Sequence, residues 1–76
     1  MPELRQVSGE QAIRALERLG FVQVRQHGSH VVMKKRTFEG SVGCVVPMHK
    51  VLAIGTIKSF LRQAQLTTDE FLSVLE

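Results

Sequence analysis

Histidine is the residue type with the clearest chemical use in this sequence, and its three copies, His27, His30 and His49, all fall in the middle third. An imidazole gains and loses a proton near neutral pH, so it can act as a general base or acid. His30 follows a turn signal, Gly28-Ser29, and begins a run in which polar and apolar residues alternate. His30 is therefore the leading candidate for proton transfer, and the alternative is a solvated histidine without a role.

Metal binding is the other common use of histidine. His27 and His30 have H-x₂-H spacing, but no Asp, Glu or second Cys lies close enough in sequence to complete a ligand set. Residues i and i+3 of an extended strand point to opposite faces, so only a tight turn could bring these two rings together. The sequence also has no glycine-rich phosphate loop. We therefore expect no metal site and no cofactor.

Positive charge is concentrated around the histidines. The chain has a net charge of +3 and a pI of 9.6. Residues 25–50 carry five cations against the single acid Glu39, whereas the flanking thirds are balanced or slightly acidic. The five cations are Arg25, Lys34, Lys35, Arg36 and Lys50. Such a patch favours a polyanionic partner, and the alternative is a solvated face that binds nothing.

The element that precedes this basic segment is predicted to be a helix. Ser8 is a suitable N-cap, and Gln11 three residues later completes a capping box. The apolar residues recur at helical spacing, at Ala12, Ile13, Leu16 and Leu19. Gly20 then supplies a left-handed stop for the helix.

The middle of the chain changes to the two-residue period of β-strands. Phe21–Gln26 and His30–Lys35 both alternate, and the turn signal between them predicts a β-hairpin. A polar loop is predicted over Lys34–Gly40 and a third strand over Ser41–Pro47.

Alternation decides which way His30 points. If the apolar residues of the hairpin face the helices, His30 faces outward. These apolar residues are Val22, Val24, Val31 and Met33. Two registers remain open: a turn at His27-Gly28 would pair Arg25 with His30, and a turn at Gly28-Ser29 would pair His27 with His30. Both registers leave His30 exposed.

The C-terminal third returns to helical spacing, with Ile57, Phe60, Leu61 and Ala64 on one face of a helix that starts near Gly55-Thr56. Thr67 and Glu70 form a second capping box, which predicts a short final helix over Thr68–Leu75. The order predicts an α+β fold, α-β-β-β-α with a short extra C-terminal helix, in which helices cover one face of a three-stranded antiparallel sheet. At 76 residues, the chain 1–76 is expected to form a single domain.

The lone cysteine, Cys44, lies among valines and is expected to be a small buried hydrophobe. A single cysteine cannot form a disulfide bond within a monomer, so we expect a reducing, cytoplasmic environment. No apolar run approaches the roughly 18 residues of a membrane helix, so no membrane partner is expected.

The sequence resembles the HicA family, small toxins of HicA–HicB toxin–antitoxin pairs, over nearly its whole length. The resemblance is carried by five segments in order. They are Leu19-Gly20-Phe21, Gly28-Ser29-His30, Val46-Pro47-Met48-His49-Lys50, Gly55-Thr56-Ile57-Lys58 and Leu61–Leu66 with the Thr-Thr-Asp-Glu-Phe that follows. Two positions depart from the family's pattern: Val31 stands where many relatives have a second histidine, and Gln65 stands where relatives often have glycine.

The resemblance implies a fold similar to double-stranded RNA-binding domains and an mRNA-cleaving endoribonuclease whose essential histidine matches His30. It also implies a HicB-type antitoxin that masks this histidine. RNA carries its own nucleophile, the 2′-hydroxyl, so one base and nearby cations suffice for cleavage without metal. We expect His30 to transfer the proton and Gly28-Ser29 to allow close approach of the RNA. The cations expected to bind the RNA are Arg25, Lys34, Lys35, Arg36 and Lys50.

Two other functions fit the same residues. A non-catalytic RNA-binding module would use the same basic patch, with His30 only contacting RNA. A protein-interaction domain would place the cations against an acidic partner.

Overall fold

The computed structural model describes Leu4 and residues 6–75. It shows a three-stranded antiparallel sheet with helices on one face. The elements in chain order are α1 (Gly9–Arg18), β1 (Val22–His27), β2 (His30–Thr37), β3 (Gly40–Pro47), α2 (Ile54–Gln63) and α3 (Thr68–Val74). The strands are ordered β1-β2-β3. This confirms the predicted α+β fold class. The prediction of a single domain over 1–76 stays a prediction, and residues 1–3, 5 and 76 lie outside the described part.

Both predicted capping boxes are present. The Gln11 backbone N–H donates to Ser8 Oγ at 3.1 Å, and the Ser8 N–H donates to Gln11 Oε1 at 2.9 Å. At α3, the Glu70 N–H donates to Thr67 Oγ1 and the Thr67 N–H donates to Glu70 Oε1. The hydrogen bonds between Glu70 and Thr67 lower the pKa of the Glu70 carboxyl group. Each box satisfies amide groups that would otherwise lack a partner at a helix start.

Burial alternates along β2 and separates the two sheet faces. Val31 and Met33 are buried, at 1% and 0% exposure, and their partners Val46 and Cys44 on β3 are buried beside them. Helix side chains complete this core, among them Leu16, Ile57 and Phe60. Phe60 meets Phe71 of α3 edge to face, with ring centroids 5.9 Å apart. The other sheet face, which we call the open face, carries His30, Val32, Lys34 and Arg36 of β2.

The hairpin turn takes the second of the two registers, with His27 opposite His30. Gly28 has a φ of 58°, whereas Ser29 does not have a positive φ. This is the pattern of a type II′ turn, which favours glycine at its first central position. The strands that flank the turn therefore begin at the histidine pair.

The prediction that Val22 and Val24 face the helices is wrong. The ladder shifts by one residue between Gln23 and Arg25, so Gln23 and not Val24 lies opposite Met33. A β-bulge of this kind reverses the side-chain direction beyond it. Val22 and Val24 are consequently 59% and 50% exposed.

The predicted polar loop over Lys34–Gly40 is also wrong. β2 continues to Thr37, and a short turn at Phe38-Glu39 leads directly into β3. Lys34, Lys35 and Arg36 each pair with a β3 residue. Because they are strand residues, their side chains alternate between the two sheet faces.

In the part of the chain that the structure describes, no helix is both long and apolar enough to cross a membrane.

Gln65 follows the end of α2 with a φ of 59°, in the left-handed region that favours glycine. We predict that Gln65→Gly raises the free energy of unfolding by about 1 kcal/mol, because a β-carbon is strained in that conformation. This corresponds to a midpoint higher by about 4–8 °C in a thermal melt of a domain this small. Gln65→Ala keeps the β-carbon and should melt close to the wild type; an equal rise in both variants would contradict the explanation.

Candidate functional site

His30 is the first residue of β2 and is exposed on the open face. It lies opposite His27 of β1 on one side and opposite Pro47 of β3 on the other. Its sequence neighbour Val31 points into the core. The sequence-based expectation of an outward-pointing His30 is therefore confirmed, and its ring can be reached from solvent.

Three of the predicted cations share the open face with His30. Lys34 and Arg36 follow it on β2 at two-residue intervals, and both are exposed. Arg25 of β1 is opposite Val32, which places it on the same side. Among the described residues that the ladders assign to the open face, none is acidic. A polyanion laid along this face would meet these cations without a neighbouring carboxylate.

Lys35 is not brought to this face. It pairs with Val42 on the helix side of the sheet, and its ammonium group lies 5.8 Å from the centre of the Phe21 ring. Lys35 also lowers the pKa of Glu70, after the larger effect of the Thr67 hydrogen bonds. Two adjacent lysines in the sequence are thus on opposite sides of the sheet.

The predicted residue Lys50 and His49 lie in the loop between β3 and α2. Together with Ser8, Glu10 and Met48 they line a cavity of about 250 Å³ at the start of α1. His49 is therefore in a different environment from the His27–His30 pair, beside an acidic residue of α1.

A cavity of about 370 Å³ joins His30 to α2. The polar side chains that α2 contributes to it are Thr56, Ser59 and Gln63. The Val45 backbone N–H donates to Gln63 Oε1 at 3.3 Å, which attaches α2 to the outer edge of β3. The half-buried hydroxyl groups of Thr56 and Ser59 can donate to phosphate or ribose oxygens of a strand that reaches His30.

Thr56, Ser59 and Gln63 were not predicted from the sequence to lie beside His30. Their spacing of i, i+3 and i+7 puts them on one helix face, beside the apolar face of Ile57, Phe60 and Leu61. That polar stripe was visible in the sequence. Its position next to His30 was not, because it depends on how α2 packs against β3.

Backbone hydrogen bonds between distant segments hold the histidine turn in place. The Met48 N–H donates to the Ser29 carbonyl at 2.6 Å, and the Gly9 N–H donates to the His49 carbonyl at 2.8 Å. The Gln26 side-chain amide donates to the Gly28 carbonyl at 2.9 Å. The predicted site residues Gly28 and Ser29 are thus tied to the loop after β3, and this loop is tied to α1.

Cys44 is buried in the core at 4% exposure, as expected. Burial raises the pKa of its thiol to about 11, because a thiolate is poorly solvated there. The thiol therefore stays protonated at neutral pH, which argues against a nucleophilic role. Among the described residues, no three His, Cys, Asp or Glu side chains lie close enough together to hold a metal ion.

Comparison with known proteins gives one family match. Residues 9–66 match the family model described as "HicA toxin of bacterial toxin-antitoxin". None of the curated proteins matches the chain. The matched range contains the histidine turn, all three strands and α2.

Gly9 is required by the close approach of α1 to the loop after β3. A β-carbon there would collide with the Pro47 carbonyl oxygen and lie 2.8 Å from Met48 Cα, both of which are backbone atoms. We predict that Gly9→Ala lowers the free energy of unfolding by about 1–3 kcal/mol, measured by urea denaturation. Gly55→Ala, whose β-carbon would meet no atom within 4 Å, is the matched control and should not be destabilised. An equal loss of unfolding free energy in both variants would contradict the explanation by steric collision at Gly9.

Proposed function

This chain belongs to the HicA family, the toxins of bacterial toxin–antitoxin pairs, and from that premise we propose that it is a metal-independent mRNA endoribonuclease. Membership of this family identifies the chain as the toxin of such a pair, with an antitoxin as its partner. The cleavage chemistry and its residues are the proposal.

One observation carries the proposal: an exposed histidine stands at the end of a sheet face that bears Arg25, Lys34 and Arg36. The cations attract and orient an RNA backbone with little dependence on its sequence. The imidazole is exposed at the edge of a cavity whose other wall carries hydroxyl groups. A strand held by the cations can therefore present its ribose and phosphate to His30.

The proposed reaction uses the nucleophile that RNA itself supplies. His30 takes the proton of a 2′-hydroxyl as the 2′-oxygen bonds to the adjacent phosphorus. The bond from phosphorus to the 5′-oxygen breaks, and that oxygen leaves with a proton that His30 or water supplies. Negative charge develops on the phosphoryl oxygens as this happens, and nearby cations stabilise it. Removal of the proton accounts for about 10²–10⁴-fold of the rate. Since the attacking and leaving groups both belong to the RNA, the protein needs to supply no metal for the nucleophile.

We assign to the antitoxin, as a HicB-type protein, the role of masking His30 by covering the open face. Val22, Val24 and Val45 are 40–59% exposed and give this face apolar contact area. The cations would pair with carboxylates of such a partner. RNA and antitoxin would then compete for one surface.

We predict that His30→Ala abolishes mRNA cleavage, with a fall of about 10²–10⁴-fold in rate, because proton transfer is lost. The measurement is transcript integrity after induced expression, together with cleavage of purified mRNA in the presence of EDTA. His30 is exposed, so the variant should fold and still bind the antitoxin.

The same experiment separates the non-catalytic alternative. An RNA-binding module would leave transcripts intact with the wild type as well, and His30→Ala would only weaken RNA binding. Intact transcripts under the wild type, or cleavage that stops when metal is chelated, would each overturn the proposal as stated.

The two adjacent lysines test which side of the sheet the RNA occupies. We predict that Lys34→Ala weakens RNA binding whatever the RNA sequence, because a phosphate contact is lost. The slope of the logarithm of the binding constant against the logarithm of the salt concentration should become less steep by about 1. Lys35→Ala removes the same charge one residue away on the helix side and should change the slope less. The measurement is RNA affinity between low and moderate salt; a larger effect at Lys35 would place the RNA on the other side.

A further inference from the structure

We propose that His27 is a second catalytic residue and that it forms a general acid–base pair with His30 across the hairpin. This inference rests on the proposed ribonuclease function and deepens it. Whereas a single-histidine site must pass both protons through one ring, the structure places two exposed histidines opposite each other across the β1–β2 ladder.

The pairing of the strands brings the two histidines together. His27 and His30 are partners across the β1–β2 ladder and flank the two-residue turn. Residues directly opposite one another in an antiparallel pair share a face, with β-carbons about 4.5–5.5 Å apart. Both residues are exposed. A phosphodiester lying over the turn can therefore contact both imidazoles at once.

The position of the turn decides which residue lies opposite His30. With the alternative turn at His27-Gly28, Arg25 would have been opposite His30, and His27 would have been inside the turn. The positive φ of Gly28 and the hydrogen bond from Met48 to the Ser29 carbonyl fix the observed register. Val31, next to His30 in sequence, is buried at 1% exposure. The second ring at this site therefore comes from across the hairpin.

Cleavage of RNA requires two proton transfers at two different oxygens. One imidazole, unprotonated, takes the proton from the 2′-hydroxyl as the bond between the 2′-oxygen and phosphorus forms. The other, protonated, gives its proton to the 5′-oxygen as the bond between phosphorus and that oxygen breaks. The products are a 2′,3′-cyclic phosphate and a 5′-hydroxyl, and the two rings have exchanged protonation states. No oxidant, reductant or further reactant is needed.

The charged residues that the strands contribute to the open face beside the pair are Arg25 of β1 and Lys34 and Arg36 of β2. His49 and Lys50 lie in the loop after β3 and line the separate cavity at the start of α1, beside Glu10. β3 and α2 contribute Pro47, Thr56 and Ser59 to the cavity beside His30, and none of these titrates near neutral pH. Within this set, histidines are the groups that can exchange protons near pH 7.

The first test is the pH dependence of kcat/KM on an RNA oligonucleotide. A base and an acid that must be in opposite protonation states give a rate that rises and then falls with pH. His27→Gln should lower the rate by about 10²–10⁴-fold and remove one limb of the wild-type profile. His49→Gln, the third histidine and the matched control, should leave both limbs. An unchanged profile in His27→Gln would overturn the proposal.

The second test separates acid from base through the leaving group. Sulfur in place of the 5′-oxygen at the cleaved bond leaves as a thiolate and needs no proton. On this substrate, the variant that lacks the acid should regain most of its rate, and the variant that lacks the base should not. Recovery in only one of His27→Gln and His30→Gln supports the pair, whereas recovery in both or in neither contradicts it.

Failure of this inference is distinguishable from failure of the proposed function. If His30→Ala abolishes cleavage and His27→Gln behaves as the wild type does, the protein is a ribonuclease with a single catalytic histidine. If the wild type leaves RNA intact, the proposed function itself falls; if His30→Ala cleaves RNA as fast as the wild type does, the role of His30 falls and the acid–base pair falls with it. Thermal melts of all variants establish that each is folded, which is expected because both histidines are exposed.

Discussion

The alternation of side chains along β2 is the constraint on which the rest of this molecule depends. Val31 and Met33 enter the core beneath the helices, where they are 1% and 0% exposed. Since successive strand residues point to opposite faces, His30, Lys34 and Arg36 are then forced outward together. A one-residue slip would bury the histidine and the cations, at a large cost in desolvation. Packing of the hydrophobic core therefore determines which side chains lie on the open face.

The hairpin turn adds a second constraint, on what lies beside His30. Glycine at position 28 adopts a positive φ without strain, and the resulting two-residue turn makes His27 and His30 a cross-strand pair. The turn is also held from outside, through the hydrogen bond between Met48 and Ser29 and the attachment of the same loop to Gly9. Position and register of the site are thus supported by α1, β3 and the connecting loop. These hydrogen bonds suit the proposed site, in which proton-transfer groups must be held in fixed geometry.

The distribution of charge on the open face would let one small surface serve both proposed partners, RNA and the antitoxin. The open face combines Arg25, Lys34 and Arg36 with exposed valines, and its described residues include no acid. Phosphates of RNA and carboxylates of an antitoxin both complement such cations. The valines favour a protein partner further, because RNA backbones offer little apolar surface to cover them. Under the proposed function, RNA and the antitoxin would compete for this surface, and the antitoxin would not need a separate site.

The sequence by itself determined the order of the elements, both capping boxes, the burial of Val31, Met33 and Cys44, and the outward direction of His30. These follow from local rules: cap chemistry at Ser8 and Thr67, helical spacing, and the two-residue period of strands. The sequence could not determine the bulge near Val24, which turned Val22 and Val24 outward, or the strand continuation that separated Lys34 from Lys35. Nor could it place Thr56 and Ser59 beside His30. Those features depend on pairing between strands and on the packing of α2 against β3, and contacts between distant segments leave no periodic signal within either segment.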